Sequence, residues 1–257
     1  MITIKNRQAI QKMYGAGQRL AVILENVAEL VQPGIATSEL DAWIADQLIR
    51  ADLKSSCKGY AGYKHVSCIS VNDQVVHGIP SPQIILQEGD LVKIDVCASW
   101  NGYCADMARC YFVTMIPAQA AQELVRVAQQ ALDKGIEQAR AGNRVSDISA
   151  AIQSEVEQHG FSVVRDFAGH GIGKKMHEEP EILNYGKPGT GPILRIGMAL
   201  AIEPMITLGG YQVYITHDGW TVKTVDKSLA AHVEDTVVIL EEGPLVVTRI
   251  SPKELYL

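Results

Sequence analysis

Asp95 and Asp106 stand on either side of an Asn101-Gly102 dipeptide, each inside a run that is otherwise apolar, aromatic or β-branched. Asn-Gly supplies the two positive-φ positions of a two-residue hairpin turn, so residues 90–113, DLVKIDVCASWNGYCADMARCYFV, read as a β-hairpin. With that turn, Asp95 stands opposite Ala108 and Cys97 opposite Asp106. Side chains alternate faces along a strand, so Asp95, Cys97 and Asp106 share one face. The two carboxylates are then diagonal neighbours about 7 to 8 Å apart at Cα, a span that cations bridged by carboxylates can close. An Asp in the middle of Val92-Lys93-Ile94-Asp95-Val96 is out of place in a plain strand, where it is depleted and costly to bury unpaired.

The chain repeats itself, and the repeat supplies two more acids. Pro33-Gly34-x-x-Thr37-Ser38-Glu39-Leu40 aligns with Ala141-Gly142-x-x-Val145-Ser146-Asp147-Ile148, an offset of 108 residues that also places Gly89-x-x-x-x-Ile94-Asp95 on Gly197-x-x-x-x-Ile202-Glu203. After an insertion, Ala105-Asp106 finds its counterpart in Val233-Glu234. Two such units are too few for a solenoid and point instead to two pseudo-symmetric halves that pool their carboxylates. Asp95, Asp106, Glu203 and Glu234 would repel one another if buried together without cations, and two divalent ions bring the formal sum to zero. His170, set in Gly169-His170-Gly171-Ile172-Gly173, is the natural imidazole to join them, with glycines on both sides allowing close backbone approach. An oxygen-rich set with one imidazole suits Mn, Fe, Co or Zn. His77 and His177 are candidate proton handlers or hydrogen-bond donors.

These residues need a scaffold, and the hydrophobic spacing describes one. Apolar residues recur at helical spacing over about 6–31 and stop at Pro33-Gly34; Thr37 or Ser38 can cap a second helix to about Leu53. A loop over 54–65, a strand over 66–72 and a turn at His77-Gly78-Ile79-Pro80 lead to the hairpin. A long helix over 118–140 and a capped one to about His159 open the second half. At 257 residues and 47% hydrophobic content a sizeable core is available. The net charge of −6, with no basic run, gives no footprint for nucleic acid. No stretch of about 18 apolar residues could span a membrane, and the N-terminus lacks the apolar segment of a signal peptide, so a cytoplasmic protein is expected. Five cysteines without a C-x-x-C pair suggest reduced thiols rather than a disulfide framework or a thiolate zinc site.

Taken together, His77-Gly78-Ile79-Pro80, Lys93-Ile94-Asp95, Asp106, Gly169-His170-Gly171-Ile172-Gly173, His177-Glu178-Glu179-Pro180, Ile202-Glu203-Pro204 and His232-Val233-Glu234-Asp235-Thr236 resemble type I methionine aminopeptidases in their short bacterial form. The resemblance runs from about residue 3 to residue 250. It implies the pita-bread fold, α+β (α/β), with two pseudo-symmetric halves and a curved antiparallel sheet covered by helices. A single catalytic domain, 1–257, with halves at about 5–113 and 114–250, is expected. The implied activity is removal of the N-terminal initiator Met from nascent polypeptides by a dinuclear metal hydrolase, with the ribosome a further candidate partner and a monomer the expected state. By position, Asp95 is implied to bind one metal, Asp106 and Glu234 to bridge both, and His170 and Glu203 to complete the other. A water held at the metals is the implied nucleophile, with Glu203 as its general base. His177 is implied to polarise the scissile carbonyl, and His77 to hydrogen-bond the scissile amide nitrogen. The side-chain pocket maps to Cys57, Tyr60, Tyr63, Cys68, Met176 and Trp220, whose sulfur and aromatic walls fit an unbranched thioether.

The chain departs from the family pattern in three places. Ala105-Asp106-Met107 replaces the usual Gly-Asp-Thr or Gly-Asp-Ser, which predicts a change in metal affinity of about 10- to 100-fold if the lost hydroxyl supports the ligands. Met176 stands where an aromatic is common, and Lys64 where Pro is usual. The departures at Ala105 and Met107 keep alive a second reading, a pita-bread binding protein without catalysis. A third reading, a related metallopeptidase acting on proline-containing substrates, is disfavoured because those relatives carry an additional N-terminal domain.

Overall fold

The structure is a computed structural model that describes residues 1–114 and 116–250; the remainder of the expected 1–257 domain lies outside the described residues. Helix α1 spans Arg7–Val27, and Asn6 caps it: its Oδ1 accepts the Ala9 N–H at 2.9 Å. The helix expected to run to residue 31 instead ends at Val27 and tightens into a 3-10 turn over Ala28–Leu30. Helix α2, Thr37–Arg50, begins one residue earlier than a Thr37 cap predicts. Ala36 has no side-chain oxygen to offer, and Glu39 compensates by accepting the Ala36 N–H at 2.8 Å. The helix stops at Arg50, short of Leu53, where Asp52 turns into the left-handed region at φ 57°. Helices α3 (Gln119–Gln138) and α4 (Val145–Gln158) repeat the pair. The capping device repeats too: Asp147 Oδ2 accepts the Arg144 N–H at 2.7 Å, 108 residues from its counterpart in α2.

The central sheet is antiparallel throughout. Its path runs Lys54–Ser55, Leu91–Trp100, Tyr103–Phe112, Glu234–Ile239, Ala199–Ile202, Ala168–Gly171 and Glu178–Leu183, with Cys68–Val71 and Pro244–Val246 as side branches. The expected hairpin is present, with Asn101 at φ 50° and Gly102 at φ 79°, and Asp95 opposite Ala108 and Cys97 opposite Asp106 as the Asn-Gly turn dictates. The strand expected over 66–72 is shorter, Cys68–Val71. Where the two hairpin-like pairs meet, Glu234 pairs with Ala108 and Asp235 with Met107. The ladder between these two middle strands continues through a side chain: Thr236 Oγ1 accepts the Asp106 N–H at 2.8 Å and donates to the Asp106 carbonyl at 2.8 Å.

Strand alternation divides the sheet cleanly. On one face, Val92, Ile94, Val96, Ala98, Ala105 and Met107 pack against Leu20, Leu24, Leu40 and Ile44 of α1 and α2. Leu200, Ile202, Val237 and Ile239 pack there against Leu124, Leu132, Ile148 and Ile152 of α3 and α4. Each fully buried aliphatic side chain of this layer contributes roughly 1.5 to 3 kcal/mol. One charge lies within it: Asp235 is fully buried and accepts from Arg109 at 2.7 Å and from Arg249 at 2.6 Å. Arg109 Nη1 also donates to the Glu234 carbonyl at 2.6 Å, so this pair fixes the backbone behind an acid of the opposite face.

Candidate metal centre and peptide pocket

The opposite face of the same strands carries the acids. Asp95, Ala108 and Glu234 form one cross-strand row; Cys97 with Asp106, and Thr236 with Ala201 and His170, fall two residues along. Glu203 follows the Ala199–Ile202 strand, two residues from Ala201 and on its face. Antiparallel register therefore gathers five donors from different strands onto one patch. Oxygen or nitrogen atoms of Asp106, His170 and Glu234 lie within 4.8 Å of one another. His170 Nε2 is 3.9 Å from Asp106 Oδ2 and 3.6 Å from Glu203 Oε1.

The glycines beside His170 have steric reasons. A Cβ on Gly169 would stand 2.4 Å from the Ala201 carbonyl oxygen, and one on Gly171 would stand 2.1 Å from that of Glu179. Only glycine lets this strand lie between its neighbours and hold His170 at the acids.

Electrostatics make the cluster unstable as a set of free carboxylates. Burial raises Glu203 to about 8, and burial followed by the charge of Glu203 raises Asp106 to about 7. Asp95 and Glu234 are also raised, by burial first and then by Asp106. Asp106 Oδ1 and Glu234 Oε1 are buried and accept no hydrogen bond. Burial lowers His170 to about 4, so the ring is neutral, and its Nδ1 lies 2.9 Å from the Gly171 carbonyl. A carbonyl only accepts, so Nδ1 carries the proton and Nε2 presents a lone pair to Asp106 and Glu203. A lone pair facing carboxylate oxygens, beside carboxylates with unused acceptors, fits a divalent cation.

Every site residue expected from the sequence lines one cavity of about 390 Å³: Cys57, Tyr60, Tyr63, Cys68, His77, Met176, His177 and Trp220 together with the five donors. Tyr63 packs on Trp220 at 4.9 Å between centroids, and Trp220 faces His77 at 6.4 Å. Asp41 of α2 pins the pocket loop, its Oδ1 accepting from Val66 N, Ser67 N and Ser67 Oγ. That anchor holds the loop although exposed Lys64 stands where the family usually has Pro. Burial lowers His77 to about 4 and lowers His177 as well, so both are neutral near pH 7.

Sequence reasoning assigned no role to His232, Phe167 or Met205. Phe167 and Met205 complete the cavity wall, and His232, buried, places Nε2 3.4 Å from Glu203 Oε2. Its nearness in sequence to Glu234 was the available signal, but strand alternation does not place it, since it ends a separate strand. The concern over Met107 is not supported by its position. Its side chain is buried on the helix face, away from the carboxylates, among Leu20, Leu24 and Val96. Met107→Thr is therefore expected to leave divalent-metal affinity unchanged within about twofold while costing about 2 to 3 kcal/mol of stability, read by metal titration and chemical denaturation.

Comparison with known proteins gives a consistent pattern. The profile of metallopeptidase family M24 matches residues 11–241. A methionine aminopeptidase of Clostridium perfringens is 47% identical over 251 residues, covering 98% of this chain and all of that protein. One from Clostridium acetobutylicum is 46% identical, covering 96% and 99%. The crystal structure of methionine aminopeptidase from Thermotoga maritima superposes with a TM-score of 0.95 at 43% identity, over 97% of this chain and 100% of that one. Prolidase from Pyrococcus furiosus shares the fold at a TM-score of 0.76 and 23% identity, and 66% of its length is covered.

Proposed function

The chain belongs to metallopeptidase family M24, and from that membership we infer that it is a metal-dependent aminopeptidase that removes the N-terminal methionine from polypeptides. The observation that carries this reading is the convergence of Asp95, Asp106, His170, Glu203 and Glu234 on one sheet face, in a cavity also walled by sulfur and aromatic side chains. The pita-bread fold is shared with methionine aminopeptidases and prolidases. We assign its two halves to about 5–113 and 114–250 within one catalytic domain.

The five donors would hold two divalent cations, with Mn, Fe, Co and Zn all compatible with carboxylate and imidazole. When bound, such cations supply positive charge that activates a water and polarises the scissile carbonyl. The remaining steps belong to side chains. Cys57, Cys68, Tyr63, Met176 and Trp220 receive the substrate methionine side chain, their sulfur and aromatic surfaces suiting an unbranched thioether. Glu203 takes the proton of the attacking water, with His232 Nε2 3.4 Å from its Oε2. His177, neutral, donates to the carbonyl oxygen as charge develops there. His77 hydrogen-bonds the scissile amide nitrogen and assists departure of the new amine.

We further propose that the enzyme works in the cytoplasm as a monomer on nascent chains, with the ribosome a candidate docking partner. No helix among the described residues is long and apolar enough to cross a membrane. A binding protein without catalysis loses its motive, since Ala105 and Met107 both face the helices. The test is Met release from a Met-Ala-Ser peptide by metal-free protein supplied with Mn, Fe or Co, run beside an Ala-Pro substrate. Release of Met with Ala-Pro left intact is expected; no release under any of these metals overturns the reading.

A further inference from the structure

His170 and His177 lie edge to face, ring centroids 4.4 Å apart at 87°, and the groups behind them differ in kind. Behind His170 is a carbonyl, which forces the proton onto Nδ1. Behind His177 is the hydroxyl of Tyr60, 2.9 Å from Nδ1. A hydroxyl can donate as well as accept, so the partner permits the opposite tautomer. Among the described residues no hydrogen bond reaches His177 Nε2, which is left for the cavity.

We propose that Tyr60 is a positioning residue that donates its hydroxyl proton to His177 Nδ1, fixes the Nε2–H tautomer, and so aims a donor at the scissile carbonyl oxygen. The proposal rests on the aminopeptidase reading and reassigns Tyr60 from a pocket wall to the support of His177. An Nδ1–H tautomer would instead turn a lone pair toward an oxygen that gains negative charge during attack, which is repulsive. The surroundings agree with this division of labour. Tyr60 is half exposed, and its ring, at the cavity wall, meets that of His177 edge to face at 5.1 Å. The loop carrying His177 is tied down separately: Glu178 accepts from Thr3 and Lys5 of the N-terminal segment and from the Lys175 N–H. Tyr60 therefore orders the ring, and Glu178 orders the backbone beneath it. Neighbouring imidazoles then hold opposite tautomers, one offering a lone pair to the metal centre and one offering N–H to substrate.

The test is Tyr60→Phe, which keeps the ring and removes the hydroxyl. Histidine 15N NMR of the full chain, with His177→Gln used to assign the signal, reads the tautomer directly. In the unsubstituted protein Nε2 should be protonated and Nδ1 of the acceptor type; in Tyr60→Phe the two tautomers should mix. kcat for Met-Ala-Ser should fall about tenfold with KM within about twofold, well short of the about 10⁴-fold loss recorded for a fully wrong tautomer in a serine protease. A pocket-wall role predicts no change in kcat, because the ring remains. An Nδ1–H signal in the unsubstituted protein, or a tautomer and kcat both unmoved by Tyr60→Phe, overturns the proposal. The NMR readout needs no turnover, so failure of the aminopeptidase reading would show separately as absence of Met release.

Discussion

Replacing Glu203 by Gln is expected to lower kcat for Met release by about 10³-fold at saturating metal, with the peptide KM changed far less. Gln keeps the size of the side chain, and the backbone stays fixed because Asn184 Nδ2 donates to the Glu203 carbonyl at 3.1 Å. What is lost is the charge and the proton-accepting oxygen. In the metal-free protein burial raises Glu203 to about 8, and the positive charge of bound cations would return it to the ionised form that a base requires. Its two oxygens are flanked by His170 at 3.6 Å and His232 at 3.4 Å, both neutral rings lowered to about 4 by burial. No other carboxylate of the cluster has histidines against both oxygens. Steady-state rates at several metal concentrations check the prediction, separating weakened loading from a slower step. A Gln variant within about tenfold of the parent at metal saturation would remove Glu203 from the role of base.

The hairpin with Asp95 and Asp106 was legible in the sequence because it follows a rule of short range, and the repeat extended the reading to Glu203 and Glu234. Asn101-Gly102 sets the register of the strands around it, and register alone puts Asp95 and Asp106 on one face. The 108-residue offset then carried the argument across to Glu203, and a looser match to Glu234. Other features were missed or came from elsewhere. Helix ends moved where another side chain did the capping, as Glu39 does by accepting the Ala36 N–H in place of a Thr37 or Ser38 cap. The significance of Met107 was misjudged for a related reason: a missing hydroxyl beside a ligand counts only if it faces the ligands, and alternation turns position 107 toward α1. His232 was passed over because it ends a different strand, Ala230–His232, and only the bend between that strand and Glu234–Ile239 brings it to Glu203. The six pocket residues came from the resemblance alone. They lie on separate loops whose meeting depends on tertiary contacts such as Asp41 with Ser67.

Asp106→Asn is expected to stabilise the metal-free protein and destabilise the metal-loaded one. Burial and the charge of Glu203 raise Asp106 to about 7 in the fold, against about 3.9 for the unfolded chain. Between those values the folded state holds a proton that the unfolded state has released, so this group's contribution to stability falls as pH rises. Asn does not titrate. The gain from the substitution in chelated protein should therefore grow by about 2 kcal/mol between pH 5.5 and pH 7.5. Taking the difference between variant and parent matters, because other groups pull in other directions. His77, His170 and His232, lowered to about 4, make the protein less stable as pH falls below about 6.5, and Lys93, lowered to about 7, makes it more stable as pH rises above that value. The contributions of His77 and Lys93 are common to both proteins and cancel to first order. Those of Asp95, Glu203 and Glu234, whose protons depend on the charge of Asp106, shift with the substitution and are part of what the difference reads. Adding Mn reverses the sign: the parent gains binding energy, about 2.7 kcal/mol at a metal concentration 100 times Kd, and the variant, short of one charged oxygen, gains less. Urea denaturation at pH 5.5 and 7.5, with chelator and with Mn, reads all four values. An Asn variant that is less stable than the parent in every condition would mean that Asp106 serves the fold rather than the metal. A change of sign with metal would identify the strain in this buried acid as the cost of keeping a cation site ready.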